Sequence, residues 1–311
     1  MFPDDEAAEK WIAWCRWGDE PACPHCGDLD VQIGAKHPSQ PYRCRGCRKF
    51  FSVKTGTAMA GSQLGYQVWA IATYLMTTGL KGQSSLKLRR DLGVTQKTAW
   101  FLAHRIREAW SDQQHDFEGP VEVDEAYIGG KEKNRHFDKK IGRGMGHGFD
   151  DKTAVAGVKD RATNRVVARV VERVNKPTLQ GFIEEVVEDV SEDGTKVYTD
   201  EHGAYHGLPN HEAVKHRVGQ YVVGQAHTNG IESFWSMLKR GYHGTYHVMS
   251  PKHLQRYVNE FAGRHNIRPL DTIQQMVEII RGLEGKRLKY RELAKGDPGF
   301  ARPARRRGQT A

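Results

Sequence analysis

The 311-residue chain is 38% hydrophobic, so it can bury a substantial core, and its length suggests two or three domains. Its formal net charge of +9 favours a polyanionic partner such as nucleic acid. It has no run of eighteen apolar residues, and it starts MFPDDE, without a basic or an apolar leader segment. The sequence thus argues against a membrane span and a secretion signal, and we expect a cytoplasmic protein.

Four of the five cysteines form two CxxC pairs in the order C-x2-C-x17-C-x2-C. This spacing is typical of a tetrahedral site of four thiolates, and without a secretion signal it favours metal ligation over disulfides. Short strand-like pieces such as DVQIG lie between the pairs. We therefore predict a zinc ribbon with a short N-terminal helix in residues 1–60, with structural Zn²⁺ on Cys23, Cys26, Cys44 and Cys47.

Residues 61–118 read as helices and have the layout of a helix-turn-helix. Ser84 and Ser85 are candidate caps of one helix, Gly93 marks the turn, and Thr95 caps the next helix. A plain helical bundle has the same signals, so the pattern leaves both readings open. On the DNA-binding reading, the second helix supplies the candidate contacts Gln96, Lys97 and Arg105.

From residue 120 the pattern changes to strands and amphipathic helices, which predicts a mixed α/β domain over residues 119–275. The segment between its first two strands, residues 129–152, is rich in Gly and Lys. It is either a flexible solvated loop or an arm that contacts DNA. The end of the chain, from Lys286, is basic and low in apolar content, so we predict that residues 276–311 form a flexible tail with affinity for phosphates.

Acidic residues end or line three of the predicted elements in this domain: Asp124, Asp200 and Glu232. Phosphodiester chemistry is commonly assisted by two Mg²⁺ ions, which prefer carboxylate oxygens to sulfur or imidazole. Three acids on separate elements suit such a site. Strand alternation does not choose between neighbouring acids, so three further residues remain open as contributors: Glu122, Glu125 and Glu201.

The segment HTNGIESFWSMLKRG, residues 227–241, reads as one helix with a strongly apolar face. Glu232 and Lys239 lie seven positions apart, nearly two turns, and so share the other face at a separation of about 10 Å. A charged, solvated helix face is the alternative. His227 and Asn229 are either caps or groups that orient a substrate.

In this order of motifs, up to about residue 270, the sequence resembles bacterial insertion-sequence transposases of the zinc-ribbon, ISXO-like group. The resemblance implies an RNase H-like catalytic domain of the DDE class. Asp124, Asp200 and Glu232 would match its three acids and bind Mg²⁺ or Mn²⁺. Lys239 would match its basic residue and contact DNA together with Arg240.

The reaction that the resemblance implies is metal-dependent cleavage at each transposon end, followed by attack of the freed 3′ hydroxyl on target DNA. The partners would be double-stranded DNA, in the form of terminal repeats and target, and a second copy of the chain in a dimer or higher oligomer. We would expect association with the bacterial nucleoid. Two alternatives remain: a DNA-binding regulator without catalysis, and an RNase H-like nuclease that cuts without joining.

Overall fold

The computed structural model describes residues 2–111, 117–130, 152–214 and 227–295. Within these ranges, no helix combines the length and the apolar character needed to cross a membrane. Most of the lysine-rich segment 129–152 and the end of the predicted tail, residues 296–311, lie outside the described residues.

A helix and a small antiparallel sheet form the N-terminal part. Helix α1 (Asp5–Trp17) is capped by Asp4, whose side chain accepts a hydrogen bond from the amide of Ala7. Strand β2 (Tyr42–Cys44) pairs with β1 (Val31–Ile33) on one side and with β3 (Phe50–Phe51) on the other. This arrangement confirms the predicted ribbon of short strands.

Three helices follow: α2 (Tyr66–Thr78), α3 (Ser85–Leu92) and α4 (Gln96–Arg107). The local signals work as their sequence predicts. Ser84 caps α3, Gly93 ends it in the left-handed conformation at φ 66°, and Thr95 caps α4. The caps satisfy backbone amides that would otherwise lack partners at the helix starts.

A five-stranded mixed sheet, in the order β6-β5-β4-β7-β8, forms the second half. Strands β4, β5 and β6 are antiparallel, whereas β7 and β8 run parallel to β4. The strands are β4 (Val121–Ile128), β5 (Thr153–Asp160), β6 (Val166–Val171), β7 (Val197–Asp200) and β8 (His211–Val214).

Helices cover both faces of this sheet. Helix α5 (Lys176–Val186) packs on one face, and α6 (Asn229–Gly241) and α7 (Pro251–Ile267) pack on the other. The apolar face of α6 is buried as expected, each large side chain contributing roughly 1.5–3 kcal/mol. Its four core residues are Ile231, Phe234, Trp235 and Leu238. The mixed sheet flanked by helices confirms the predicted α/β fold class.

The C-terminal segment differs from our expectation. Residues 276–295 are not a loose tail in the structure, because α8 (Thr272–Gly282) crosses the predicted boundary and α9 (Tyr290–Lys295) follows it. Val277, Ile279 and Ile280 are buried in a core shared with α1, α2 and α4. Helix α8 is amphipathic, and its apolar side docks on the N-terminal helices; the basic composition belongs to the segment that starts at Lys286.

Candidate functional site

The four predicted zinc ligands meet at one end of the small sheet. The four Sγ atoms all lie within 4.8 Å of one another. The Sγ atoms of Cys23 and Cys47 are 3.7 Å apart, and those of Cys26 and Cys44 are 3.6 Å apart. Thiolates around a tetrahedral zinc at about 2.3 Å would be separated by about 3.8 Å. The spacing therefore fits a structural Zn²⁺.

A second group of chemically interesting residues lies where β4 and β7 run side by side. The parallel register pairs Glu122 with Tyr198, and continued by two residues it brings Asp124 opposite Asp200. Because side chains alternate along strands, both aspartates point to the sheet face that α6 covers. Glu232 lies in the first turn of that helix.

Helix α6 comes close to the sheet because a glycine faces it. Gly157 of β5 is the cross-strand partner of Asp124. A Cβ atom at Gly157 would lie 2.7 Å from Cζ2 of Trp235, so any side chain there would push the helix away. Sequence reasoning missed this position, although an isolated glycine within a strand indicates a close approach.

The carboxylates influence one another electrostatically. Burial, and after it the negative charges of Glu125, Asp200 and Glu232, together raise the pKa of Asp124 to about 7. Burial also raises the pKa of Glu125, although the hydroxyl of Tyr205 donates a hydrogen bond to its Oε2 at 2.8 Å. Several carboxylates therefore share a partly buried position, and their mutual repulsion would be relieved by a bound cation.

The carboxylate oxygens of Asp124, Asp200 and Glu232 do not all lie within 4.8 Å of one another. Within the described parts of the chain, the four cysteines are the only group of three or more potential ligands whose donor atoms lie within 4.8 Å of one another. Glu232 accepts a hydrogen bond at 3.0 Å from the hydroxyl of Thr228, and Asp200 accepts one at 3.0 Å from the amide of His202. The structure thus brings the acids to one place without placing their oxygens at ligating distance.

The acids left open by the sequence have different surroundings. Glu122 is buried and forms an ion pair with Arg161. Glu125 follows Asp124 on β4 and accepts a hydrogen bond from Tyr205, whereas Glu201 is exposed. The negative charge of Glu125 raises the pKa of Asp124.

Comparison with known proteins identifies the family. A transposase zinc-ribbon domain matches residues 3–50, and an ISXO2-like transposase domain matches residues 116–266. The chain belongs to the ISXO2-like transposase family. It is also 28% identical over 279 residues to an uncharacterized protein in transposable element ISH50 of Halobacterium salinarum, a match that covers 86% of this chain and 92% of the relative.

A transposase binds DNA, and several of its candidate contacts are exposed. Gln96 and Lys97 lie on the exposed first turn of α4. Lys239 and Arg240 are exposed on α6. Lys239 also lines a depression of about 300 Å³ near the acid cluster, together with Glu125, Tyr127, Tyr242 and His243.

Arg105 has a different environment from the other candidates of this transposase. It is only 6% exposed, and its guanidinium donates to the carbonyl of Ala60. The same group lies 5.0 Å from the ring centre of Phe101 and 5.5 Å from that of Trp69. We therefore leave Arg105 out of the DNA-contacting set. Most of the second half of α4 is buried with it, whereas Gln96 and Lys97 at its start are exposed in the described part of the chain.

Proposed function

We propose that the protein cleaves the ends of its insertion sequence and joins the freed 3′ hydroxyl to target DNA. The observation that carries the proposal is the placement of Asp124 and Asp200 side by side on β4 and β7, under the first turn of the helix that carries Glu232. The strand order, with three antiparallel strands followed by two parallel ones, supports an RNase H-like domain of the DDE class.

The acid cluster suits Mg²⁺ or Mn²⁺ because its donors are carboxylates, which hard cations prefer. The charges with the largest influence on the pKa of Asp124 are all negative, so a cation would relieve their repulsion. Asp124, Asp200 and Glu232 would hold it. When bound, it would supply activation of the attacking oxygen and stabilisation of the leaving oxygen.

The rest of the chain would bind and orient DNA. Lys239 lies two turns after Glu232 on the exposed side of α6, where its ammonium would contact a phosphate next to the acids. Gln96 and Lys97 would contact the terminal repeat from the start of α4. In this proposal two ends are cleaved in one assembly, which would hold at least two copies of the chain on DNA. The zinc ribbon (residues 1–60), the helical segment (61–118) and the catalytic domain (119–275) remain our proposed division.

The direct test is an end-cleavage assay on labelled duplexes that carry the element's own terminal repeats, with Mg²⁺ or Mn²⁺. We expect the wild type to cut and Asp124→Asn, Asp200→Asn and Glu232→Gln to fall to background. Glu201→Gln is the matched control, because Glu201 neighbours Asp200 but is exposed. That variant should keep cutting.

A second assay supplies pre-cleaved ends and a target plasmid. Joined product would support a transposase that carries out both steps. Cutting without joining would support a nuclease, and binding without either step would support a regulator. Loss of cutting in Glu201→Gln but not in Asp124→Asn would contradict the assigned acids.

A further inference from the structure

Glu122 is a buried acid that the proposed chemistry does not use. It lies two residues before Asp124 on β4 and on the same face of the sheet. Its side chain is 2% exposed. Burying a carboxylate at such a depth is strongly unfavourable unless charged and hydrogen-bonding partners compensate. The identity of those partners therefore indicates what Glu122 does.

One oxygen of Glu122 is held by basic side chains. Nε of Arg161 donates to Oε1 at 2.9 Å, and Nδ1 of His227 lies 3.3 Å from the same oxygen. Lys159 is the cross-strand partner of Glu122 on β5. Arg161 also lies 4.0 Å from the ring centre of Tyr198 and donates to the backbone carbonyl of His227. The carboxylate is thus fixed in one orientation.

The other oxygen reaches the start of α6. Oε2 of Glu122 accepts a hydrogen bond from the amide of Ile231 at 2.9 Å. The residue at the N-cap position, Thr228, makes no side-chain cap bond to the helix backbone. Glu122 therefore caps the helix from a different element, where the helix dipole favours a negative charge. Glu232 is the next residue after Ile231.

The contact between Glu122 and the start of α6 requires a glycine at position 230. A Cβ atom at Gly230 would lie 2.7 Å from Oε2 of Glu122 and 2.8 Å from Nζ of Lys159. The backbone of the first helical turn therefore packs directly on the buried charges. The start of α6 is thus joined to the beginning of β4 through Glu122.

We infer that Glu122 and Arg161 are positioning residues, which hold the first turn of α6 on β4 and thereby keep Glu232 beside Asp124. The inference rests on the proposed function, because it gives Glu232 a role in that site. It adds two residues that do not touch the reacting groups. Their effect on the reaction passes through the backbone amide of Ile231.

Hydrogen–deuterium exchange of the full-length protein tests the structural step without any metal or DNA. Glu122→Gln keeps the size of the side chain but removes its charge, and Arg161→Lys keeps a charge but not the guanidinium geometry. We expect the amides of residues 229–232 to exchange about tenfold faster in Glu122→Gln and less so in Arg161→Lys, while the end of α6 is unchanged.

The matched control is Glu260→Gln. Glu260 is also fully buried and forms an ion pair with Arg107 at 2.7 Å, but it joins α7 to α4. If Glu122→Gln acted only by removing a buried ion pair, its hydrogen exchange at residues 229–232 would resemble that of Glu260→Gln. Glu260→Gln should leave exchange of residues 229–232 unchanged, even if its thermal stability falls as much as that of Glu122→Gln.

Binding of Mn²⁺, measured by electron paramagnetic resonance on protein with a zinc-loaded ribbon, tests the functional step. We expect Glu122→Gln to weaken Mn²⁺ binding by about tenfold or more, the range typical of groups that orient ligands. End cleavage should lose kcat by a similar factor while the Kd for DNA stays within twofold. Glu260→Gln should bind Mn²⁺ as the wild type does.

The outcomes separate the two proposals. Unchanged exchange at residues 229–232 in Glu122→Gln would overturn the inference and leave the proposed function standing. The same holds if Mn²⁺ binding falls no more than in Glu260→Gln. If Asp124→Asn cuts as well as the wild type, the proposed function fails and the role assigned to Glu122 fails with it.

Discussion

Replacing Asp124 with Asn should make the metal-free protein more stable, although it should abolish cleavage. Burial and the neighbouring carboxylates raise the pKa of Asp124 from an ordinary 3.8 to about 7. The folded protein therefore holds this proton more tightly than the unfolded chain does. Ionisation of Asp124 costs the folded state stability as the pH rises from about 3.8 to about 7, with no further loss above that range.

The size of the effect follows from the same two values. At ~1.4 kcal/mol for each pH unit, the full difference corresponds to on the order of 4 kcal/mol at pH 8. At pH 5, where roughly one unit of that range has been crossed, it is on the order of 1–2 kcal/mol. For a domain of this size, 4 kcal/mol shifts Tm by on the order of 10 °C. Asparagine has nearly the same shape and carries no charge, so it avoids this cost.

Thermal unfolding in buffers stripped of divalent metals, with the ribbon zinc retained, measures the difference. Asp124→Asn should exceed the wild type in Tm by several degrees more at pH 8 than at pH 5. Added Mg²⁺ should raise the Tm of the wild type and have little effect on the variant. Asp193→Asn, an exposed position in the same domain, is the control. Equal Tm values for wild type and Asp124→Asn at pH 8 would refute the reasoning.

Three further predictions concern other parts of the chain. Cys44→Ser should reduce the zinc content, measured by atomic absorption, from one equivalent per chain to near zero; full retention of zinc would contradict the four-thiolate site. Lys239→Ala should weaken DNA binding in fluorescence anisotropy and reduce the salt slope by about 1, whereas Lys10→Ala, an exposed lysine on α1, should do neither. Ile280→Ala should lower the free energy of unfolding by about 2–5 kcal/mol in guanidinium titrations, because Ile280 is fully buried. A loss well under 1 kcal/mol would instead mean that α8 is loosely attached.

Much of the local structure follows from short sequence signals. The caps at Ser84 and Thr95 and the left-handed Gly93 are where their residue types predict them, because these preferences depend on the backbone within a few residues. The CxxC pairs likewise bring two sulfurs together in each tight turn. Alternation in residues 121–128 predicts a strand, and α6 buries the apolar face that its period indicates.

The sequence also indicated that acids lie on β4, but tertiary packing distinguishes them. Glu122 and Asp124 share one face by alternation, and no local pattern separates a buried helix cap from a member of an acid cluster. The difference arises from partners distant in sequence, since Glu122 meets Arg161 and the amide of Ile231. Asp124 instead lies beside Asp200.

What sequence alone determined is most of the elements as far as α7, their order and the residue types that can bind metal. Only the tertiary structure decided which of those residues are exposed, as the burial of Arg105 and of Ile280 illustrates. The physical reason is that the spacing of apolar residues is a local pattern, which indicates that one face of a helix or strand is buried. What covers that face depends on contacts between segments far apart, such as α8 against α1.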